Sequence, residues 1–233
     1  MPVSRPHIAI VGHGNLGQHL VRGLQSAFDV TVLGHNLKVP AGIDIVIVCV
    51  PDDAVKTVCE SLPQELFIIH TAGAVPLYGA PRSGVLYPLY SFSKEENIDW
   101  KQIPLLLEAT SNKDLTLLTR IARTLFFRIF NVNSAGRNHL HVSAVMVNNF
   151  TNHLYTLAFE HAKEFNLPVE TLFAIMNQGP SKAIALGPKS AQTGPAARGD
   201  KQTIAAHIEK ISDPEVKRLY TLLSESIAKY QAG

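Results

Sequence analysis

The sequence predicts an α/β domain built on a parallel sheet, followed by an all-helical domain. Three observations carry this. Short apolar runs alternate with helical patterns from His7 to about Val132, the signature of consecutive strand–helix–strand units. A glycine-spaced turn lies between the first apolar run and the first helical pattern. Beyond Val132 the short runs stop and helical periodicity takes over.

Each element has its own reason. His7–Val11 is a buried strand, a short apolar run bounded by turn signals. The next segment sets Leu16, Leu20, Val21 and Leu24 on one helical face. Asp29–Leu33 and Ile43–Val50 are strands, the second closed by Pro51-Asp52-Asp53. In the helix Ala54–Leu62, Val55, Val58, Cys59 and Leu62 face the sheet. Leu66–Thr71 is a strand, and shorter ones follow at Val85–Tyr87 and Leu105–Glu108. Ser111-Asn112-Lys113-Asp114 starts a helix, which Leu115, Leu118, Ala122 and Leu125 continue. Phe126–Val132 returns to strand. His139–Phe165 is one long helix, ended by Asn166-Leu167-Pro168. Further helices are expected at Val169–Gln178, Lys201–Ile211 and Pro214–Tyr230, with a Gly-, Pro- and Ala-rich loop over Gly187–Asp200. The expected domains are 1–132 and 133–233.

Composition narrows the function. The 233 residues are 46% hydrophobic and 17% charged, which excludes general disorder. The longest apolar run, Ile43–Val50, is interrupted by Asp44 and is far too short to span a bilayer. The amino terminus leads into a strand rather than into the apolar region of a signal peptide. A net charge of +2 argues for neither nucleic acid nor a membrane surface as a partner. Cys49 and Cys59 fit neither a disulfide framework nor a zinc pattern, and the ten histidines have no metal spacing, so no metal is expected. A cytoplasmic protein is the expectation.

Gly12-His13-Gly14-Asn15-Leu16-Gly17 follows a strand and opens a helix. In that context the first glycine allows a tight turn, the second admits a pyrophosphate to the backbone, and the third lets helix pack on strand. The helix N-terminus adds free N–H groups and a positive dipole end. Together they predict a Rossmann-type dinucleotide site, against the plainer reading of a turn without a ligand. The second strand then matters. An NAD site wants a carboxylate at its end for the ribose hydroxyls. Here the strand ends Leu33-Gly34-His35-Asn36, with Lys38 beyond and no acid. His35, Asn36 and Lys38 could receive a 2′-phosphate, which favours NADP over NAD; a solvated loop is the alternative.

A helix and a strand are also missing. Only the seven residues Asn36–Gly42 separate the second strand from Ile43. Extended, they reach about 23 Å at roughly 3.3 Å per residue. Passing the first strand needs about 10 Å sideways plus a return along the sheet. The expected order is therefore 2-1-4-5-6 in the usual Rossmann numbering, with strand 3 absent.

Gly12–Gly17, Val48-Cys49-Val50-Pro51-Asp52-Asp53 and Ile69-His70-Thr71-Ala72-Gly73 together resemble pyrroline-5-carboxylate reductases and the wider 6-phosphogluconate-dehydrogenase-like oxidoreductases. Tyr87-Pro88-Leu89-Tyr90-Ser91-Phe92, His141–Asn149 and Gln192–Asp200 resemble more specifically a Rossmann-like family labelled NADP oxidoreductases, whose helical C-terminal domain has no assigned function. The likeness covers nearly the whole chain. It implies the fold, and a dinucleotide-dependent reaction by analogy. Two positions depart. The hydroxyacid dehydrogenases of the wider group carry a catalytic lysine three residues before an Asn-Asn pair; here Asn148-Asn149 is preceded at that position by Val145. Relatives often have His-Pro where this chain has Tyr87-Pro88.

On the long helix Leu140, Ala144, Val147, Leu154, Ala158, Ala162 and Phe165 form an apolar stripe. His141, Asn148, Asn152 and Tyr155 form a polar one, within about 60° at about 100° per residue. Aligned polar groups on an apolar helix need partners, supplied by a cleft between the domains or by a buried hydrogen-bond ladder. The expected roles follow. Gly12, His13, Gly14, Asn15, Leu16 and Gly17 hold the pyrophosphate, Val50 and Pro51 line the nicotinamide ribose, and Thr71 joins the cofactor side. Tyr87, Ser91, His141 and Asn148 face the substrate, with His141 or Tyr87 as proton donor. Asn152 lines the substrate side. Pyrroline-type reductases bind a substrate carboxylate on a Ser/Thr/Gly-rich turn between C-terminal helices, and that resemblance puts Gln192, Thr193, Gly194 and Arg198 in the same role; a rigid inter-helix turn is the alternative. His70 is a lesser site candidate, and Asp52 and Asp53 read as a helix N-cap. The expected function is NADP-dependent reduction of a small carbonyl or imine by a homodimer joined through the helical domain. A non-catalytic NAD(P)-binding sensor or a dimeric scaffold is the alternative.

Overall fold

A computed structural model describes residues 5–34 and 36–232. The chain forms two compact units, residues 1–146 and 147–233. In the first, β1 (His7–Val11), α1 (Asn15–Leu24), β2 (Asp29–Leu33), β3 (Ile45–Val48), α2 (Asp52–Ser61), β4 (Phe67–His70) and β5 (Ser83–Pro88) follow in order. Then come β6 (Pro104–Ala109), α3 (Asn112–Ala122), β7 (Arg128–Asn131) and α4 (Ser134–Ala144). The seven strands make one sheet in the order β2-β1-β3-β4-β5-β6-β7. Every pairing is parallel except β5 with β6.

The absent third Rossmann strand is confirmed by this order. Among the described residues β2 pairs with β1 alone, and the chain passes directly to β3 on the other side of β1. The change of direction between β1 and β3 is the topological switch point, where open α/β sheets bind ligands beyond their strand ends.

Alternation along the strands builds two cores. Ile8, Ile10, Ile45, Ile47, Phe67 and Ile69 meet Leu20 and Leu24 of α1 and Leu118 and Ile121 of α3. Ala9, Val11, Val46, Val48 and Ile68 meet Val55 and Cys59 of α2. A strand covered on both faces must be apolar throughout, which is why these runs show no polar alternation. Each fully buried Ile or Leu contributes about 1.5–3 kcal/mol.

The second unit is helical. It contains α5 (Thr151–Glu164), a 3-10 turn Val169–Leu172, α6 (Phe173–Leu186), α7 (Pro188–Ala191), α8 (Pro195–Arg198), α9 (Lys201–Lys210) and α10 (Pro214–Ala232). Two short helices thus occupy the expected Gly187–Asp200 loop. Helix α6 continues through Gly179-Pro180, where the sequence predicted an end. Asn166, at φ 53°, stops α5 in the left-handed conformation asparagine tolerates. Among the described residues of this unit only Ala196, Ile211 and Ser224 are buried.

The long helix is not uniform. Between α4 and α5 the residues Val145–Phe150 form a π-helical turn. Two valines and two asparagines there are weak helix formers, the asparagines because they compete for backbone hydrogen bonds. The polar stripe assumed one angle per residue, and i→i+5 bonding changes that angle. His141 lies in the first unit, and Asn148, Asn152 and Tyr155 in the second.

Candidate functional site

The glycine turn has the geometry its spacing predicts. Gly12 sits at φ 106°, and a Cβ there would lie 2.1 Å from the Cys49 carbonyl oxygen. A Cβ on Gly17 would lie 2.4 Å from the Gly12 carbonyl oxygen. A Cβ on Gly14 would meet nothing within 4 Å, so that side of the residue faces open space. Gly14 is the N-cap of α1, no side chain caps that terminus, and no acid lies in its first turn. Open space and uncapped N–H donors at one point suit an anionic group. Dinucleotide phosphates fit here.

The expected cofactor residues gather at the same strand ends. His13 and Asn15 are exposed and Leu16 half-buried. The Asn15 side chain is already used, donating to the Phe92 carbonyl at 2.8 Å. His19 binds the Ser93 carbonyl at 2.8 Å. These bonds hold Phe92 and Ser93 on α1, and Ser91, next to them in the chain, is exposed. Val50 and Pro51 follow β3, and Pro51 rather than an aspartate is the N-cap of α2. Asp52 and Asp53 make no cap bond but lie in the first turn, where their charge complements the helix dipole. Thr71 is buried and its hydroxyl donates to the Val48 carbonyl at 3.3 Å. At the end of β2, Asn36 and Lys38 are exposed, and the Asn36 side chain accepts from the Lys38 N–H at 3.3 Å. His35 lies outside the described residues.

Tyr87 on β5 and His141 on α4 meet directly. The Tyr87 hydroxyl lies 2.8 Å from His141 Nδ1. The rings cross edge-on with centroids 5.9 Å apart. Gly73 makes room for both, since a Cβ there would lie 2.7 Å from Tyr87 Cζ and 2.8 Å from His141 Nδ1. Burial and the Asp52 carboxylate push the Tyr87 phenol above its usual pKa, against an opposing pull from Arg137. The phenol therefore stays protonated at neutral pH.

Beside this pair lies a buried polar cluster that the sequence reading missed. Arg137, 1% exposed, pairs with Glu108 and donates to the Val75 carbonyl at 2.6 Å. Glu108 also accepts from the Ser134 N–H at 2.9 Å and from the Ser134 hydroxyl at 2.7 Å. The signal was present: Glu108 ends an apolar strand, and a carboxylate there needs a partner. His70 serves the same region. Its Nδ1 accepts from the Ala72 N–H at 3.3 Å, which leaves Nε2 protonated to donate to the Pro76 carbonyl at 3.1 Å. Burial, with the nearby Arg137 cation, pushes its pKa down to about 4. His70 is thus a neutral structural histidine. Cys49, pushed up to about 12 by burial, is equally inert.

The remaining expected residues belong to the second unit. Asn148 and Asn152 are exposed. Gln192 and Thr193 are exposed, and the Gln192 side chain donates to the Thr193 carbonyl at 3.0 Å. Gly194, at φ 104°, opens α8, and Arg198 ends it exposed. Asp200 caps α9, accepting from the Thr203 N–H at 3.0 Å. Among the described residues no group of three or more His, Cys, Asp or Glu side chains could hold a metal ion. No helix among them is long and apolar enough to cross a membrane.

Fold and site together define a Rossmann-like α/β protein with a glycine-rich anion turn and a helical C-terminal unit. A family model described as "Domain of unknown function (DUF2520)" matches residues 103–227, more than half of the chain. A crystal structure from Bacteroides fragilis, described as a "putative NADP oxidoreductase", is 32% identical. That match covers 97% of this chain and 98% of the other, with a TM-score of 0.86. The chain belongs to this family. More distant structures share the fold. A Thermotoga maritima protein is 20% identical, with a TM-score of 0.74 and coverage of 97% and 98%. A reductive aminase from Aspergillus terreus, in complex with NADPH and ethyl-5-oxohexanoate, is 16% identical, with a TM-score of 0.68 and coverage of 97% and 94%. No curated protein matches the chain.

Proposed function

We propose that this protein is an NADP-dependent oxidoreductase that reduces a small carbonyl or imine compound. The observation that carries the reading is the Tyr87–His141 pair, 2.8 Å apart, in the same unit as the open Gly14 turn. A bound nicotinamide dinucleotide would supply the hydride. The chain's own residues supply the proton. If the phenol donates to Nδ1, the imidazole keeps its Nε2–H; if Nδ1–H donates to the phenol oxygen, the phenol keeps its O–H. Either way the pair has one unspent acidic hydrogen for the oxygen or nitrogen of the reduced bond. Ser91 and Asn148 orient the substrate, and Asn152, Gln192, Thr193, Gly194 and Arg198 bind it. The 1–132 segment is the dinucleotide domain and 133–233 the substrate and dimerisation domain.

The cofactor preference rests on the absence of any carboxylate in the sequence at the end of β2, where His35 precedes Asn36, and on the exposed Asn36 and Lys38. The homodimer rests on the second unit. With so few buried residues it has little apolar core of its own. Val147, Phe150, Ile175, Ile184 and Leu186 are all more than half exposed. A second copy is the partner that every solution of this chain contains. Ile184, 87% exposed, is the test: Ile184→Glu should halve the mass seen by light scattering. The free thiols Cys49 and Cys59 suit a cytoplasmic setting.

The function is tested by NADPH consumption across imino acids, keto acids and aldehydes. Turnover of at least one class is expected, with Tyr87→Phe and His141→Gln each lowering kcat about 100-fold or more. NADPH binding with no turnover anywhere would leave a non-catalytic dinucleotide sensor.

A further inference from the structure

The buried Arg137–Glu108–Ser134 cluster has no part in the chemistry above, yet it reaches the catalytic pair by a short route. The loop after β4 is pinned at four consecutive residues. Asn138 donates to the Ala74 carbonyl at 3.4 Å, Arg137 to the Val75 carbonyl at 2.6 Å, and His70 to the Pro76 carbonyl at 3.1 Å. The Leu77 N–H donates to the Ser134 hydroxyl at 2.8 Å. Three of these four groups come from α4. Just before the pinned stretch is Gly73, the residue on which both Tyr87 and His141 close. Arg137 and His141 are also four residues apart on α4, hence on one face of it.

We propose that Arg137 is a positioning residue, which clamps the 74–77 loop to α4 and thereby fixes Gly73 against the Tyr87–His141 pair. The inference rests on the reading of that pair as the proton donor. Geometry recommends Arg137 for the task. Its planar guanidinium can bind a carboxylate and a carbonyl at once, whereas a lysine ammonium is a point charge on a flexible stem. Glu108 holds its Nη1 group, the Val75 carbonyl and Ser134 hydroxyl take Nη2, and of its nitrogens Nε alone is left without a partner. The charged and titratable groups around the site are Asp52, His70, Glu108 and Arg137, and the Arg137 cation pulls the Tyr87 phenol down. Arg137 therefore acts on the pair both sterically and electrostatically.

Removing one partner of a buried ion pair leaves the other charge stranded. The test therefore uses the paired variant Arg137→Met/Glu108→Gln, with Ser134→Ala and Arg137→Lys alongside, all in the full chain. Nitrogen-15 NMR of the histidines, with His141 assigned through His141→Gln, reports the Nδ1 hydrogen bond without any turnover. The expected result is loss of the hydrogen-bonded Nδ1 signal in the paired variant and its weakening in Ser134→Ala. Arg137→Lys, which keeps the charge but not the fork, should not restore it. In kinetics, kcat should fall tenfold or more and its basic limb should move to higher pH, while KM for NADPH stays within twofold. An unchanged His141 signal in the folded paired variant overturns the proposal. So does a uniform loss of kcat and NADPH affinity in step with melting temperature, because that is what a merely structural residue gives. If the wild-type chain turns over no substrate, the oxidoreductase reading fails and the NMR result still decides the role of Arg137.

Discussion

At the residue scale, glycines separate stability from function. Gly12 and Gly14 are two positions apart, but the space around them is opposite. Gly12→Ala would force a Cβ into the Cys49 carbonyl at a backbone angle that disfavours any side chain. It should cost several kcal/mol, on the order of a severe overpacking, and denaturant unfolding would register it. Gly14→Ala meets nothing, so its stability should stay within about 0.5 kcal/mol of wild type. Its new methyl projects toward the space proposed for phosphate, so NADPH affinity should drop about tenfold or more. Equal losses of stability in the two variants would contradict this division. His70 gives a second prediction. Its pKa is about 4 in the folded chain and about 6.5 when unfolded. Between these values the unfolded chain binds more protons, so stability falls as pH falls. The contribution is whole above about pH 6.5 and is lost toward pH 4, on the order of 3 kcal/mol. Urea unfolding at pH 7.5 and 4.5 should show a shallower pH dependence in His70→Gln than in wild type. Matching dependences would mean that His70 is not held neutral.

At the element scale, the sequence was legible where local rules act. Ser111 is a clear case. Its hydroxyl caps α3 by accepting from the Asp114 N–H at 3.1 Å, and it donates to the Asp114 carboxylate at 2.8 Å. The same carboxylate receives Arg82 from two nitrogens, at 3.0 and 2.7 Å. Ser111→Ala should cost about 1 kcal/mol, the usual value of an N-cap, with a further penalty because Asp114 is buried. A thermal melt would detect it, and an unchanged midpoint would show the cap to be idle. Strand direction was not legible. β5 and β6 are apolar on both faces whichever way they run, so nothing in Val85–Tyr87 or Leu105–Glu108 distinguishes the antiparallel pairing that forms. The π-helical turn was hidden for a related reason. Hydrophobic spacing reports an average period, and one altered turn in a 31-residue helical stretch from Ser134 to Glu164 barely shifts it. Pro180 misled in the other direction, since a proline argues for a helix end and α6 absorbs it. The Tyr87–His141 contact, across 54 residues, rested on a resemblance and on polar residues on an apolar helix, and neither could give its partner. Gly73 and Arg137 were missed because their work depends on neighbours that only the fold assembles.

At the scale of the whole molecule, the two units differ in how they are held together. The first has a sheet buried between two apolar cores. The second exposes much of its apolar surface. Units so unlike should melt as separate calorimetric transitions, since a single cooperative transition belongs to a single core. Only the first unit carries the glycine turn. A ligand that binds the folded form alone stabilises it by about 2.7 kcal/mol at one hundred times its Kd. For a unit of this size that is a rise of roughly 5–10 °C. NADPH should therefore raise one transition and leave the other in place. If the proposed NADP preference holds, with Asn36 and Lys38 receiving the 2′-phosphate, NADH at the same concentration should raise it less. Lys38→Ala should then narrow the difference between the two nucleotides without moving either transition in their absence, since Lys38 is exposed. An equal response to both nucleotides would return the cofactor to NAD, and a shift in both transitions would mean that the nucleotide is bound by more than the first unit.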